Sequence, residues 1–129
     1  MDTKLFDSEL KLMELLWAHP EDAEALTAKD VSLMAAQRIG WNKNTTYTIL
    51  KKLVDKGVIR REEPNFRCIP LVSRNEAQRQ ETRSLLQRLF GGSKKALFSA
   101  LLEDERLSEQ DLAEMRAMIE KAAGKSNGV

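Results

Sequence analysis

The chain has 129 residues, 42% hydrophobic and 32% charged, with 6 glycines, 3 prolines and an aromatic share of 5%. That length allows one domain with a sizeable core or two small modules, and the shortage of turn formers excludes a turn-rich sandwich. The net charge of +1 conceals an asymmetry: residues 36–67 hold eight lysines and arginines against three acids, net +5, while the rest holds 13 bases and 17 acids, net −4.

A basic segment inside an otherwise acidic chain is a footprint for a polyanion, although an ordinary solvated patch has the same composition. The first residues, "MDTKLFDSE", lack the basic run and apolar run of a signal peptide. The apolar runs are too short to cross a membrane. The one cysteine, Cys68, cannot form an internal disulfide. These features predict a cytoplasmic protein.

Residues 7–18, "DSELKLMELLWA", place Leu10, Leu12, Met13, Leu15, Leu16 and Trp17 at helical spacing. Asp7 or Ser8 can cap the start, and His19-Pro20 ends the helix because a residue before proline avoids the helical region. His19 reads as a solvent-facing loop residue. A second helix starts at Leu26-Thr27, where Thr27 and Asp30 have the spacing of a capping box. Val31, Met34, Ala35 and Ile39 form its apolar stripe, and Gly40 stops it.

The next stretch, "WNKNTTYTILKKLVDKG" (41–57), opens with residues that favour strands. Read with a period of two, neither face is apolar. Read as a helix, Thr46, Ile49, Leu50, Leu53 and Val54 share one arc of about 140°. Asn44, Thr45, Thr48, Lys51, Lys52 and Asp55 lie opposite, with Tyr47 at the edge. The segregation predicts a helix capped by Asn42 and ended by Gly57.

After it, "VIRREE", "PN" and "FRCIPLV" read as two short strands around a tight turn, with Pro70 placing the second at an edge. Ser73 and Glu76 form a capping box for a helix to about Phe90. "GGS" breaks it. A short helix follows over 94–103, and Ser108 with Asp111 starts a last one. The tail from 123 reads as frayed.

Three helices, a hairpin and a basic third helix are the pattern of a winged helix-turn-helix, in which the N-terminal residues of the third helix reach base edges in the major groove. Short hydroxyl side chains donate and accept at close range, which explains threonines where alanine or glutamate would make a better helix. The predicted DNA contacts are therefore Thr45, Tyr47 and Thr48 on bases with Asn44 near them, and Lys43, Lys51 and Lys52 on phosphates. Arg60, Arg61 and Arg67 are candidates from the wing, opposed by the adjacent Glu62 and Glu63.

Residues 73–122 carry more apolar side chains than three short helices can bury alone: Leu85, Leu86, Leu89, Phe90, Leu97, Phe98, Leu101, Leu102, Leu112, Met115 and Ile119. Dimerisation through them would also present two reading heads to a palindromic site. Folding back on the first module is the alternative. No catalytic, metal or cofactor site is predicted: the one histidine stands alone, Cys68 reads as a half-buried filler strand residue, and "FGGS" lacks the phosphate-loop spacing.

Several ordered motifs resemble the penicillinase repressors, the BlaI/MecI group: "SELKLMELLW", "LTAKDV", "WNKNTTYTILKKLVDKGVI", "PLVS", "LFGGSKKAL" and "LSEQDLAEMRAMI". The resemblance implies a cytoplasmic homodimeric repressor of beta-lactam-resistance or related stress genes, and a membrane sensor protease that triggers cleavage at an Asn-Phe bond. The pair at that place here is Ala100-Leu101. The cysteine cluster of the related copper-responsive repressors is not in the sequence. Lys43 stands where a proline often opens the recognition helix, and Tyr47 where a basic residue is common.

The expected architecture is mainly α with a small β-hairpin wing: a winged helix-turn-helix domain (1–72), a helical dimerisation domain (73–122) and a flexible tail (123–129). The expected function is sequence-specific repression by a homodimer on palindromic operators. The reading set against it is a winged-helix adaptor that binds proteins and no specific DNA.

Overall fold

The computed structural model describes residues 4–104 and 106–127. In chain order the elements are α1 (Asp7–Ala18), α2 (Ala28–Arg38), α3 (Lys43–Asp55), β1 (Ile59–Glu62), β2 (Arg67–Pro70), α4 (Arg74–Phe90), α5 (Lys94–Leu102) and α6 (Glu109–Asn127). The chain divides into two compact units, residues 1–84 and 85–129. The division falls inside α4.

Local capping fixes most helix starts. The Thr27 hydroxyl accepts from the Asp30 N–H at 3.1 Å, and the Asp30 carboxylate accepts from the Thr27 N–H at 3.0 Å. Ser73, Ser93 and Ser108 accept likewise from Glu76, Ala96 and Asp111. Each bond satisfies a helix-terminal donor that would otherwise lack a partner. At α1 the expectation of Asp7 or Ser8 is corrected. Phe6 is the N-cap, and its N–H donates to Glu9 Oε1 at 2.8 Å. A phenyl ring accepts nothing, so Glu9 reaches back alone.

The first unit packs α1, α2, α3 and the hairpin around Leu12, Met13, Val31, Ala35, Leu50, Leu53, Val58 and Ile59, all essentially inaccessible to water. Cys68 belongs to this core at 1% exposure, deeper than the half-buried filler predicted. The hairpin is antiparallel, with Arg60 opposite Ile69 and Arg61 opposite Cys68. β2 is not simply an edge strand. Thr27 bridges Arg67 on its other side, the Cys68 N–H donating to Leu26 O and the Ala28 N–H to Phe66 O, both at 2.8 Å. Pro70 is tolerated because it lies beyond that bridge.

His19 is half-buried rather than solvent-facing. Its Nε2 lies 2.7 Å from the Glu24 carbonyl, which ties down the loop between α1 and α2. The start of α4 is anchored as well: Ala77 is buried, Arg74 pairs with Glu14 at 2.7 Å, and the Trp17 indole donates to Val72 O at 2.9 Å.

The second unit has no fully buried side chain among its described residues. Leu89, Leu101, Leu102, Leu112, Met118 and Ile119 are all exposed, Leu89 and Met118 by 67%. α6 continues through Asn127, past 122 where the composition predicts fraying; residues 128–129 lie outside the described ones.

Candidate nucleic-acid interface

α3 is positioned at both ends by glycines in the left-handed region. Gly40 (φ 85°) lets its own N–H and that of Trp41 turn back to Ala35 O, closing α2 and redirecting the chain within a few residues. Asn42 then caps α3, its Oδ1 accepting from the Thr45 N–H at 2.8 Å. Gly57 (φ 76°) ends the helix and delivers Val58 to the core. A side chain at either position would strain the turn.

Between these stops the helix is segregated as its period predicts. Thr46, Ile49, Leu50 and Leu53 are buried. Lys43, Asn44, Thr45, Thr48, Lys51 and Lys52 are exposed on the other side. Thr46 is the only α3 threonine facing the core, where its hydroxyl donates to Asn42 O at 3.3 Å. The Thr48 hydroxyl donates to Asn44 O at 2.8 Å. Its proton is therefore committed, and what it presents outward is acceptor lone pairs and a methyl group. That suits a base amino group or a thymine methyl.

Tyr47 differs from its neighbours. It is half-buried, and its ring meets Phe66 edge-on at 6.3 Å with an interplanar angle of 89°. Lys43 Nζ lies 5.7 Å from the Tyr47 ring centre. Of the residues predicted to read bases, it is the one whose side chain is packed.

The basic segment is less uniformly available than its charge count suggests. Lys56 turns inward: its Nζ lies 2.6 Å from Glu9 Oε1, donates to Lys4 O at 2.9 Å, and sits 4.6 Å from the Phe6 ring centre. Glu9 is only 1% exposed. Sequence reasoning missed this buried pair because the partners are 47 residues apart. On the wing, Arg60 bonds Glu62 at 2.7 Å, Arg61 bonds Glu63, and Arg67 lies 3.8 Å from Glu62. The Arg60 hydrogen bond holds the Glu62 carboxyl below the usual carboxylate range, and the Arg61 hydrogen bond, aided by the Phe66 N–H, does the same for Glu63. The signal for this pairing was present: in "RREE" each acid follows an arginine by two, and residues two apart share a strand face. Lys43, Lys51 and Lys52 have no ion pair among the described residues, so α3 carries three of the segment's unpaired charges.

Burial, then the nearby Asp30 charge, pushes the Cys68 thiol up to about 11, which leaves it un-ionised near neutrality. No cluster of metal-ligating side chains occurs among the described residues, and no helix there is long and apolar enough to cross a membrane. A cavity of about 530 Å³ between α1, β2 and the start of α4, lined by Trp17, His19 and Leu71, shares no residue with α3.

The sequence profile of the penicillinase repressors matches residues 5–121. The chain belongs to the penicillinase repressor family. The penicillinase repressor of Bacillus licheniformis is 22% identical over 120 residues, covering 92% of this chain and 91% of its own. The methicillin resistance regulatory protein MecI of Mammaliicoccus sciuri is 22% identical over 126 residues, covering 94% of this chain and 99% of its own. The solution structure of the DNA binding domain of the repressor BlaI superposes with a TM-score of 0.51 at 20% identity, over 59% of this chain and 90% of that one. The fold of a penicillinase-repressor winged helix is thus present, and the family is one of transcriptional repressors rather than enzymes.

Proposed function

We propose that this chain is a homodimeric repressor that binds two-fold symmetric operator DNA and occludes a promoter. The observation that carries the reading is the exposed face of α3, which is entirely polar, carries unpaired lysines, and sits on a winged-helix fold with its N-terminus capped and accessible. Asn44, Thr45 and Thr48 address base edges, while Lys43, Lys51 and Lys52 neutralise phosphates. Arg60, Arg61 and Arg67 assist from the wing by exchanging their carboxylate partners for phosphate. Exposed pairs of this kind are worth at most about 1 kcal/mol, so the exchange is inexpensive.

Leu85, Leu86, Leu89, Phe90, Leu97, Leu101, Leu102, Leu112, Met115 and Ile119 supply the dimer contact. Leu89, Leu101, Leu102, Leu112 and Ile119 are exposed and the other five half-buried, in a unit without a buried side chain among its described residues, which supports a partner for this surface. Residues 73–122 then act as the dimerisation module and 1–72 as the reading head, working in the cytoplasm where the DNA is. The names of the similar repressors favour genes of beta-lactam resistance as targets. A membrane sensor protease is the partner that the resemblance suggests; the corresponding bond, Ala100-Leu101, lies within α5, so cleavage there requires local unwinding.

The test is fluorescence anisotropy on the DNA upstream of the gene, over a salt series. A repressor prefers one site and weakens with salt by about one logarithmic unit per phosphate contact. An adaptor shows no preferred site, and its dimer persists regardless.

A further inference from the structure

The side chains around Tyr47 form one connected stack. Lys43 lies over the Tyr47 ring, Tyr47 meets Phe66 edge-on, and the Arg61 guanidinium covers Phe66 at 4.1 Å from the ring centre. Glu63 closes the far end: one carboxylate oxygen pairs with Arg61, and the other accepts from the Phe66 N–H at 3.2 Å. Phe66 is held at φ 52°, a left-handed conformation that a bulky side chain rarely adopts. Its ring is nonetheless buried, at 7% exposure. A conformation of that kind persists only where the surroundings over-determine it; here the Ala28 N–H holds the Phe66 carbonyl, and Tyr47, Arg61 and Glu63 hold its ring and its N–H.

We propose that Tyr47 is a positioning residue: through Phe66 and Arg61 it sets the wing relative to the recognition helix and does not itself read a base. The proposal rests on the DNA-binding reading above for its consequence but not for its geometry. A T-shaped aromatic pair requires a ring at position 47 and makes no use of the phenolic hydroxyl. Tyr47→Phe therefore preserves the strut, whereas Tyr47→Ala removes it and loosens the wing tip, while the backbone bonds to Leu26 and Ala28 still hold β2. Arg61 then loses its fixed place over Phe66, and the phosphate contact it would make becomes independent of α3.

The experiment pairs operator binding with amide hydrogen exchange of the full-length protein. Tyr47→Phe is expected to keep both affinity and base preference. Tyr47→Ala and Phe66→Leu are each expected to weaken binding about three- to tenfold on every sequence alike, the worth of one aromatic pair. The salt slope should become shallower by about one unit. Arg61→Ala added to Tyr47→Ala should lose less than Arg61→Ala alone. Without DNA, Tyr47→Ala should speed exchange of the Phe66 amide and its neighbours at the wing tip, while Tyr47→Phe should not.

A change of preference at one base position in either Tyr47 variant would overturn the proposal in favour of base reading. So would wing exchange unaltered in Tyr47→Ala. If the native protein selects no operator, the repressor reading fails, and the exchange data alone then decide the strut.

Discussion

Glu62 illustrates how a single acid can tune a basic surface. It accepts from Arg60 and lies near Arg67, so two candidate phosphate ligands are partly neutralised before DNA arrives. Its depressed pKa sets the sign of the pH effect. The pair contributes above the ordinary carboxylate range and is lost only as pH falls through the lowered value. Near pH 7 DNA must therefore displace the carboxylate and cannot wait for its protonation. Glu62→Gln should tighten operator binding by about two- to tenfold at low salt and steepen the salt slope by about one unit. Anisotropy titrations at two salt concentrations check this. Cys68 gives a second outcome at this scale. Buried and with its pKa near 11, it should resist thiol-reactive reagents at pH 8 in the native protein and react promptly after urea unfolding. Fast labelling in the native state would show that this strand opens far more often than its packing suggests.

At the scale of elements, most helix starts were legible, α1 with its Phe6 cap excepted, and fastenings between distant parts of the chain were not. The caps of Thr27, Asn42, Ser73 and Ser108 depend on residues within three positions, so the sequence displays them directly. The outward face of α3 was equally legible, because helical period alone separates Thr46 from Thr45 and Thr48. The third strand-like segment at Thr27 was hidden, since one bridge leaves no alternating pattern. The packing of Tyr47 was hidden too, because its partner Phe66 lies across a turn whose backbone is unusual. The Glu9–Lys56 pair joins the start of α1 to the end of α3 and has no local signature. It gives a distinct prediction. Lys56→Ala leaves a buried carboxylate unpaired and should destabilise the first unit by about 2–4 kcal/mol. Glu9→Leu combined with Lys56→Met removes both charges and should be less destabilising than Lys56→Ala alone. Urea unfolding followed by circular dichroism checks the order. If the double variant is the weaker, the lost Glu9 cap on the Phe6 N–H or packing, rather than charge burial, governs this corner.

At the scale of the whole molecule, the proposed repressor divides its work between the two units. The first builds a closed core and offers α3 outward, and the second keeps Leu89, Leu101, Leu102, Leu112, Met118 and Ile119 exposed. A charge placed on that apolar surface separates the roles. Leu112→Asp should convert a dimer to a monomer in sedimentation velocity while leaving the first unit's thermal transition in place. A variant that stays dimeric would remove Leu112 from the contact. The proposed repressor depends on α3 reading a symmetric site in pairs. The direct measurement is anisotropy of the full-length protein on an inverted-repeat DNA from its own upstream region, against a scrambled duplex, from low to physiological salt. A repressor of this kind should put two chains on each duplex, prefer the inverted repeat clearly, and lose affinity linearly in logarithmic salt. Equal binding to both duplexes, or binding indifferent to salt, would contradict it.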